Sequence, residues 1–223
     1  RIGLSYQIVE GRTGEDPEVQ ALYSKTKNLL YRKRSLTPGE VACYFGHRLM
    51  WRRFLASDAP MALFCEDDFV SLDDARIQAI LTDAEQGAPV DWDILKLEDH
   101  APRQIIAERQ RPGYVVVDYA YVATGFAAYI MTRRAAERML ARPRVFRPVD
   151  EDAWMSWEFG LRVRSVHPNP VVQRNGAVGG SLLEADRADR RRRNRLRSLW
   201  GGVLSIYWKV CGRLYQSLTR QRP

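Results

Sequence analysis

Two apolar periods alternate along the chain. Val41, Tyr44, Phe45, Trp51, Phe54 and Leu55 recur at helical spacing, with Arg48, Arg52 and Arg53 between them. The preceding Leu36-Thr37-Pro38-Gly39-Glu40 is a helix start, with Thr37 as N-cap, Pro38 at the first helical position and Glu40 as capping-box partner. This predicts a helix from there to about residue 56. Residues 61–65 form a short continuous apolar run, the pattern of a strand covered on both faces, which ends abruptly in Glu66-Asp67-Asp68. Ser71 is expected to cap a helix through about Gln86, and Gly87 to Pro89 read as a turn. Residues 92–97 predict a second strand, followed by a polar connector. Residues 114–118 and 127–131 predict two more strands around Thr124-Gly125. Thr132 opens a helix through Leu140 that Pro143 closes, and 163–166 predict a last strand. No internal repeat is visible, and the alternation of strands and helices predicts an α/β layered domain.

A length of 223 residues, 45% hydrophobic and 28% charged, fits one globular domain with an appendage. No window approaches the roughly 20 apolar residues of a membrane span. Cys43, Cys65 and Cys211 are far apart and odd in number, so neither a disulfide framework nor a zinc site is indicated, and a reducing compartment fits them. The net charge of +8 would by itself point to nucleic acid, but its distribution redirects that inference. Residues 187–223 hold eleven Lys/Arg against the single acid Asp189, a net of +10, which leaves residues 1–186 at −2. The basic character belongs to a tail.

The acidic triplet after the buried run is the least expected local feature, since like charges at a strand end repel and lose hydration unless a cation compensates. If extended geometry holds through it, Glu66 and Asp68 project to one face and Asp67 to the other, a hard-oxygen pair for Mg²⁺ or Mn²⁺. A solvated acidic turn is the competing reading. Pro148-Val149-Asp150-Glu151-Asp152, with Glu158 beyond, is a second acidic cluster; Asp150 reads either as a general base for an incoming hydroxyl or as an N-cap. His47 falls in the core or at a cleft rim, and neither His100 nor His167 has zinc-ligand neighbours. There is no hydrolase elbow, P-loop or dinucleotide fingerprint, and Gly179-Gly180 is only a turn signal.

Taken in order, these segments are more informative than any one alone. Leu36-Thr37-Pro38-Gly39-Glu40-Val41-Ala42-Cys43, then Gly46-His47 and Trp51, then Leu63-Phe64-Cys65-Glu66-Asp67-Asp68, resemble the L-T-x-G-E-x-x-C-x-x-S-H and L-x-x-E-D-D blocks of glycosyltransferase family 25. Trp92 to Leu97, Thr124-Gly125 with Ala127 to Ile130, Ala135 to Leu140, Pro148-Val149-Asp150 and Val166-His167-Pro168 with Val171-Val172-Gln173 agree in order, so that the resemblance covers about residues 4–173. It implies a GT-A-like nucleotide-sugar-binding domain, a mixed sheet flanked by helices, over residues 1–185. It also implies inverting transfer of a hexose, galactose first, from a donor such as UDP-galactose to a lipooligosaccharide or other surface glycan. On this resemblance Glu66 and Asp68 hold a divalent metal, Mn or Mg, at the donor diphosphate. Asp67, Glu40, His47, Thr124 and Gly125 line the donor side, and Asp150 is the base with Asp152 and Glu158 behind it. Two departures stand out. Gly46 replaces the usual Ser before the His, and Ile2 to Tyr6 match only the segment beyond the family's first strand and helix, which the chain is expected to lack.

The remaining segment, 186–223, predicts a basic amphipathic helix. Leu196, Trp200, Val203, Tyr207, Val210, Leu214 and Leu218 form its apolar stripe, suited to an anionic bilayer surface or to docking on the body. The tail carries no recognisable nucleic-acid module. The expectation is therefore a transferase peripheral to the cytoplasmic face of an inner membrane, acting on a lipid-linked acceptor. Metal-dependent phosphoryl transfer or nuclease chemistry, and a non-enzymatic adaptor working through the tail, are the competing classes.

Overall fold

The computed structural model describes residues 6–87, 90–100, 103–174 and 195–220. The expectations for Ile2 to Ser5, Pro89, Gly179-Gly180 and the first residues of the tail, 186–194, lie outside the described residues. In chain order the elements are α1 (Pro17–Leu22), α2 (Lys25–Tyr31), α3 (Pro38–Leu55), β1 (Met61–Cys65), β2 (Phe69–Ser71), α4 (Asp74–Glu85), β3 (Ile94–Lys96), β4 (Ile105–Arg111), β5 (Tyr114–Tyr119), β6 (Ala128–Thr132), α5 (Arg133–Leu140), α6 (Val149–Trp154), a 3₁₀ turn (Ser156–Phe159), β7 (Val163–Val166), β8 (Val171–Gln173) and α7 (Arg195–Arg220).

Six strands form a mixed sheet in the order β1-β6-β3-β7-β5-β4. β6 runs antiparallel between β1 and β3, which are therefore parallel to one another, and β7 is parallel to β3. Side chains alternate across this sheet as a strand period of two requires. Phe64, Ile94, Tyr129, Met131 and Val163 pack with Val41, Tyr44, Trp51 and Phe54 of α3 and with Ala135, Ala136 and Met139 of α5. Leu63, Cys65, Leu95, Ala128, Ile130 and Val116 face the other way, against Ile77 and Ile80 of α4. Helices thus flank both faces.

The capping box at the start of α3 is formed as the sequence predicts: Glu40 N donates to Thr37 Oγ1 at 3.1 Å and Thr37 N to Glu40 Oε2 at 3.0 Å. Elsewhere the structure differs from expectation. Ser71 ends β2 and does not cap α4; Asp73 does, accepting from Arg76 N at 2.9 Å. The polar connector after β3 contains β4, an edge strand hairpinned to β5 through Gly113, whose φ is +82°. Its sequence shows no strand period because Ile105 and Ile106 are adjacent and residues 108–111 are all polar. The chain does not stay extended through the acidic triplet either: β1 stops at Cys65 and residues 66–68 turn into β2. No helix among the described residues is long and apolar enough to cross a membrane.

Candidate functional site

The carboxyl ends of β1, β3 and β7 share one edge of the sheet, where α/β folds collect ligands. β1 delivers Glu66, Asp67 and Asp68 to that edge; β3 delivers Glu98 and Asp99. The start of β6 ties the two together: Glu66 N donates to Ala127 O at 2.8 Å and Leu97 N to Ala128 O at 3.0 Å.

Glu66 and Asp68 are brought together by a turn, and by Gln173 on the two-stranded ribbon that β2 makes with β8. Gln173 Nε2 donates to Asp68 Oδ2 at 2.9 Å and approaches Glu66 Oε2 at 3.4 Å. Arg174 N donates to Asp68 O at 2.7 Å, fixing the turn backbone. Asp68 Oδ1 is buried with no hydrogen-bond partner. Burial pushes the Asp68 carboxyl above the usual carboxylate range against the pull of Gln173, and the charges of Glu66 and Asp67 add to the rise. Asp67 is exposed in the turn.

Behind Glu66 runs a buried relay. Trp51 Nε1 donates to Tyr129 Oη at 2.8 Å; Tyr129 Oη lies 2.8 Å from His47 Nδ1, and His47 Nε2 lies 3.0 Å from Glu66 Oε1. One proton assignment satisfies every group: Tyr129 donates to Nδ1 of a neutral imidazole whose Nε2–H donates to Glu66. Cys43 Sγ, 3.6 Å from the same Oε1, donates as well. Burial, then the Glu66 charge, pushes the Cys43 thiol well above its ordinary value, so it stays protonated. Cys43, His47 and Glu66 converge closely enough to hold an ion, but their facing atoms already hydrogen-bond one another. A hard divalent cation fits the other side better, where Glu66 Oε2 and the two Asp68 oxygens supply carboxylate ligands and one of them lacks a partner.

The other expected residues divide by burial. Glu40 is buried and does two jobs, the α3 capping box and a bidentate grip on Arg34 at 2.6 Å from each nitrogen. That leaves the Arg34 side chain 41% exposed, a fixed cation that sequence reasoning missed. Asp150 lies in the first turn of α6, whose N-cap is Pro148, so Asp150 is not the cap. Its charge reaches Cys43, Arg34 and Glu151. Asp152 is fully buried, held by Arg147 and by Tyr44 Oη at 2.5 Å. Glu158 pairs with Arg147 and, at 2.7 Å, with Arg142; despite burial, which opposes it, these guanidiniums hold its carboxyl below the usual range.

Thr124 and Gly125 serve the site's frame. Thr124 O accepts from His100 N at 2.8 Å and from Lys96 Nζ at 3.0 Å. Gly125 has φ +99°, and a Cβ there would stand 2.8 Å from both Glu98 Oε1 and His100 N. The backbone thus approaches the protein's own carboxylate. Gly125→Ala is expected to lower stability by about 1–3 kcal/mol, measured by urea unfolding; an unchanged midpoint would contradict this packing.

Glu151 carries no sequence signal that separates it from its acidic neighbours. Arg32 Nη2 pairs with its Oε1, while Oε2 is buried without a partner. Burial pushes its carboxyl up to about 7, with Arg32 pulling the other way. A folded-state value above the unfolded one means that the folded state holds more protons, so this group's contribution to stability is full below about pH 4.5 and lost as pH rises to about 7. Glu151→Gln should remove that slope and raise Tm at pH 8 by about 2–4 °C, read by thermal melts across that pH range.

The family model described as "Glycosyltransferase family 25 (LPS biosynthesis protein)" matches residues 1–155. The human protein "Inactive glycosyltransferase 25 family member 3" is 32% identical over 127 residues, 54% of this chain and 21% of that protein. Procollagen galactosyltransferase 1-A of Xenopus laevis is 34% identical over 128 residues, 54% of this chain and 20% of that protein. The mouse "Inactive glycosyltransferase 25 family member 3" is 29% identical over 160 residues, 66% of this chain and 26% of that protein. The matches thus span about a fifth to a quarter of each relative's length.

Proposed function

The chain belongs to glycosyltransferase family 25, and from that premise we propose that it transfers a hexose, galactose, from a UDP-sugar to a glycan acceptor on a GT-A-like scaffold. A nucleotide-sugar donor follows from the family. Galactose is supported by relatives named procollagen galactosyltransferases, and a lipopolysaccharide-type acceptor by the words of the family description. In this reading the acceptor is lipid-linked and presented at the cytoplasmic face of the inner membrane.

The observation that carries the reading is the Glu66 and Asp68 pair at the carboxyl end of β1, with Asp68 Oδ1 buried and unpartnered. Glu66 and Asp68 would hold Mn²⁺ or Mg²⁺, which when bound supplies positive charge against the departing nucleotide diphosphate. The His47 Nε2–H and the Cys43 thiol fix Glu66 Oε1, so Glu66 presents Oε2 outward without rotameric search. Gln173 holds Asp68 Oδ2 in the same orientation. Arg34, fixed by Glu40, is a partly exposed side-chain cation offered to the donor diphosphate, and Asp67 is the exposed contact to the donor. Asp150 takes the proton from the acceptor hydroxyl as it attacks with inversion. Of the other two acids proposed for that role, Asp152 and Glu158 are both held by Arg147.

Several relatives carry "inactive" in their names, so turnover is the deciding measurement. The full chain is incubated with a panel of nucleotide sugars, with and without Mn²⁺, and donor hydrolysis and transfer are followed. No turnover of any donor, together with unchanged metal and nucleotide affinity in Asp68→Asn, would overturn the proposal.

A further inference from the structure

α7 is docked on the body, and its two sides differ. Gly201, Trp208, Gly212, Gln216 and Thr219 face inward. Gly201 lies against the Lys33 side chain and Gly212 against the Trp157 ring, approaches that a Cβ would obstruct. Gln216 Nε2 reaches Val163 O at 3.5 Å, and Arg197 Nε donates to Arg32 O at 2.8 Å. At 100° per residue the opposite side is an arc of about 120°. It carries Leu199, Val203, Ile206, Val210, Leu214 and Leu218, all more than half exposed. Leu29 and Leu30 of α2, also more than half exposed, continue this surface: Trp200 Nε1 donates to Leu30 O at 2.9 Å.

Cations border the stripe on both long edges. Exposed Lys209 and Arg213 lie along one. Beside the other, at Tyr207 and Trp208, opens a cavity of about 610 Å³ walled by Tyr31, Phe146 and Phe159. Its charged lining is Lys27, Arg138, Arg142 and Arg147 against Glu158. Arg147 is neutralised by Asp152 and Glu158, which leaves the cavity cationic. Arg142 Nη1 is buried there with no hydrogen bond, its nearest carboxylate oxygen 3.4 Å away. None of Glu66, Asp67 and Asp68 lines this cavity, although Glu158 does. Tyr207 belongs to both cavity and stripe.

We propose that the outward face of α7, with Leu29 and Leu30, lies on an anionic bilayer surface, and that the cavity beside Tyr207 takes the phosphate of a lipid headgroup. An apolar arc bordered by cations matches the boundary between acyl chains and anionic headgroups. α2 and α7 together carry Lys25, Lys27, Arg195, Arg197, Lys209, Arg213 and Arg220 and not one Asp or Glu. A second copy is the poorer occupant, because a two-fold contact would set Lys209 and Arg213 against their own equivalents. This inference stands independently of the transferase reading.

The test is flotation of the full chain with vesicles of phosphatidylcholine alone and with about 30% phosphatidylglycerol. The chain is expected to bind the anionic vesicles at least about tenfold more tightly, and to lose most of that preference near 0.5 M salt, where the screening length is about 4 Å. Val203→Glu with Leu214→Glu should abolish binding to both. Lys27→Glu with Arg138→Glu should lower affinity for the anionic vesicles about tenfold or more, with circular dichroism unchanged. Equal binding of the natural chain to both vesicle types overturns the proposal and needs no variant. So does a dimer in sedimentation that Val203→Glu dissolves without any vesicle binding. Anionic-vesicle binding left unchanged by Lys27→Glu with Arg138→Glu, while inorganic phosphate binding to the lipid-free chain is lost, would assign the cavity to a free anion and overturn the headgroup assignment.

Discussion

Asp68→Asn should abolish metal-dependent transfer, lowering turnover about a hundredfold or more, while the protein folds normally. The fold is spared because Asn is isosteric, its amide oxygen can still accept from Gln173, and Asp68 is only partly buried. The activity is not spared, because the change removes one of the two charges that would hold a divalent ion and replaces a carboxylate oxygen by an amide nitrogen that repels it. Loss of the Asp68 charge also relieves the repulsion among Glu66, Asp67 and Asp68, so thermal stability without metal should hold or rise. That opposite movement of stability and activity identifies a binding role. A variant that keeps full turnover and unchanged Mn²⁺ affinity by calorimetry removes Asp68 from the chemistry.

Lys96→Met should be the most destabilising single change in the sheet, costing about 3–5 kcal/mol and lowering Tm by roughly 10 °C. Lys96 is fully buried, and all three ammonium protons are used: Asp99 Oδ1 at 2.7 Å, Ala123 O at 2.8 Å and Thr124 O at 3.0 Å. Asp99 is the hub for three further donors, Ser165 Oγ at 2.9 Å, Asn169 Nδ2 at 3.0 Å and Tyr119 Oη at 3.2 Å. Removing the lysine strands a carboxylate in the interior and frees the loop that leads into Gly125. Asp99→Asn in the Lys96→Met background should recover part of the loss, since the stranded charge is then gone. Thermal melts of both single variants and the double would show this; a cost under about 1 kcal/mol for Lys96→Met would mean that the pair behaves as a surface ion pair.

The layered α/β class, the long helix and its capping box, and five strands of the central sheet were legible because each rests on local periodicity or on a cap. The acidic triplet was legible as chemistry, but not its geometry, since a turn and an extended strand are equally compatible with three carboxylates. What joins Glu66 to Asp68 is Gln173, more than a hundred residues away in sequence; nothing in Val171-Val172-Gln173 announces an amide aimed at two carboxylates. Lys96 misleads in the same way. A lysine in an apolar run usually points outward, and only the fold reveals that Asp99 and two distant carbonyls receive it. Asp152, Glu158 and Glu40 stood out as acids, but their arginine partners, Arg147, Arg142 and Arg34, carry no signal that would mark them as internal ions. The tail's sequence supports both a docked helix and an outward apolar stripe. The docked face and the stripe lie on opposite sides of one helix, so the two descriptions apply to different residues.

The carbonyls of Ala127 and Ala128 take the amides of Glu66 and Leu97. The strand ends of β1 and β3 that carry the acids are therefore anchored to two consecutive residues at the start of β6. Local opening of the segment from Gly125 to Ala128 would release both at once, so this edge behaves as a single cooperative unit. Hydrogen exchange there would report one opening event shared by the amides of Glu66 and Leu97, whose acceptors are Ala127 O and Ala128 O. A site built this way has no half-assembled form: drift in the acids' spacing is suppressed as long as one short stretch of backbone stays closed.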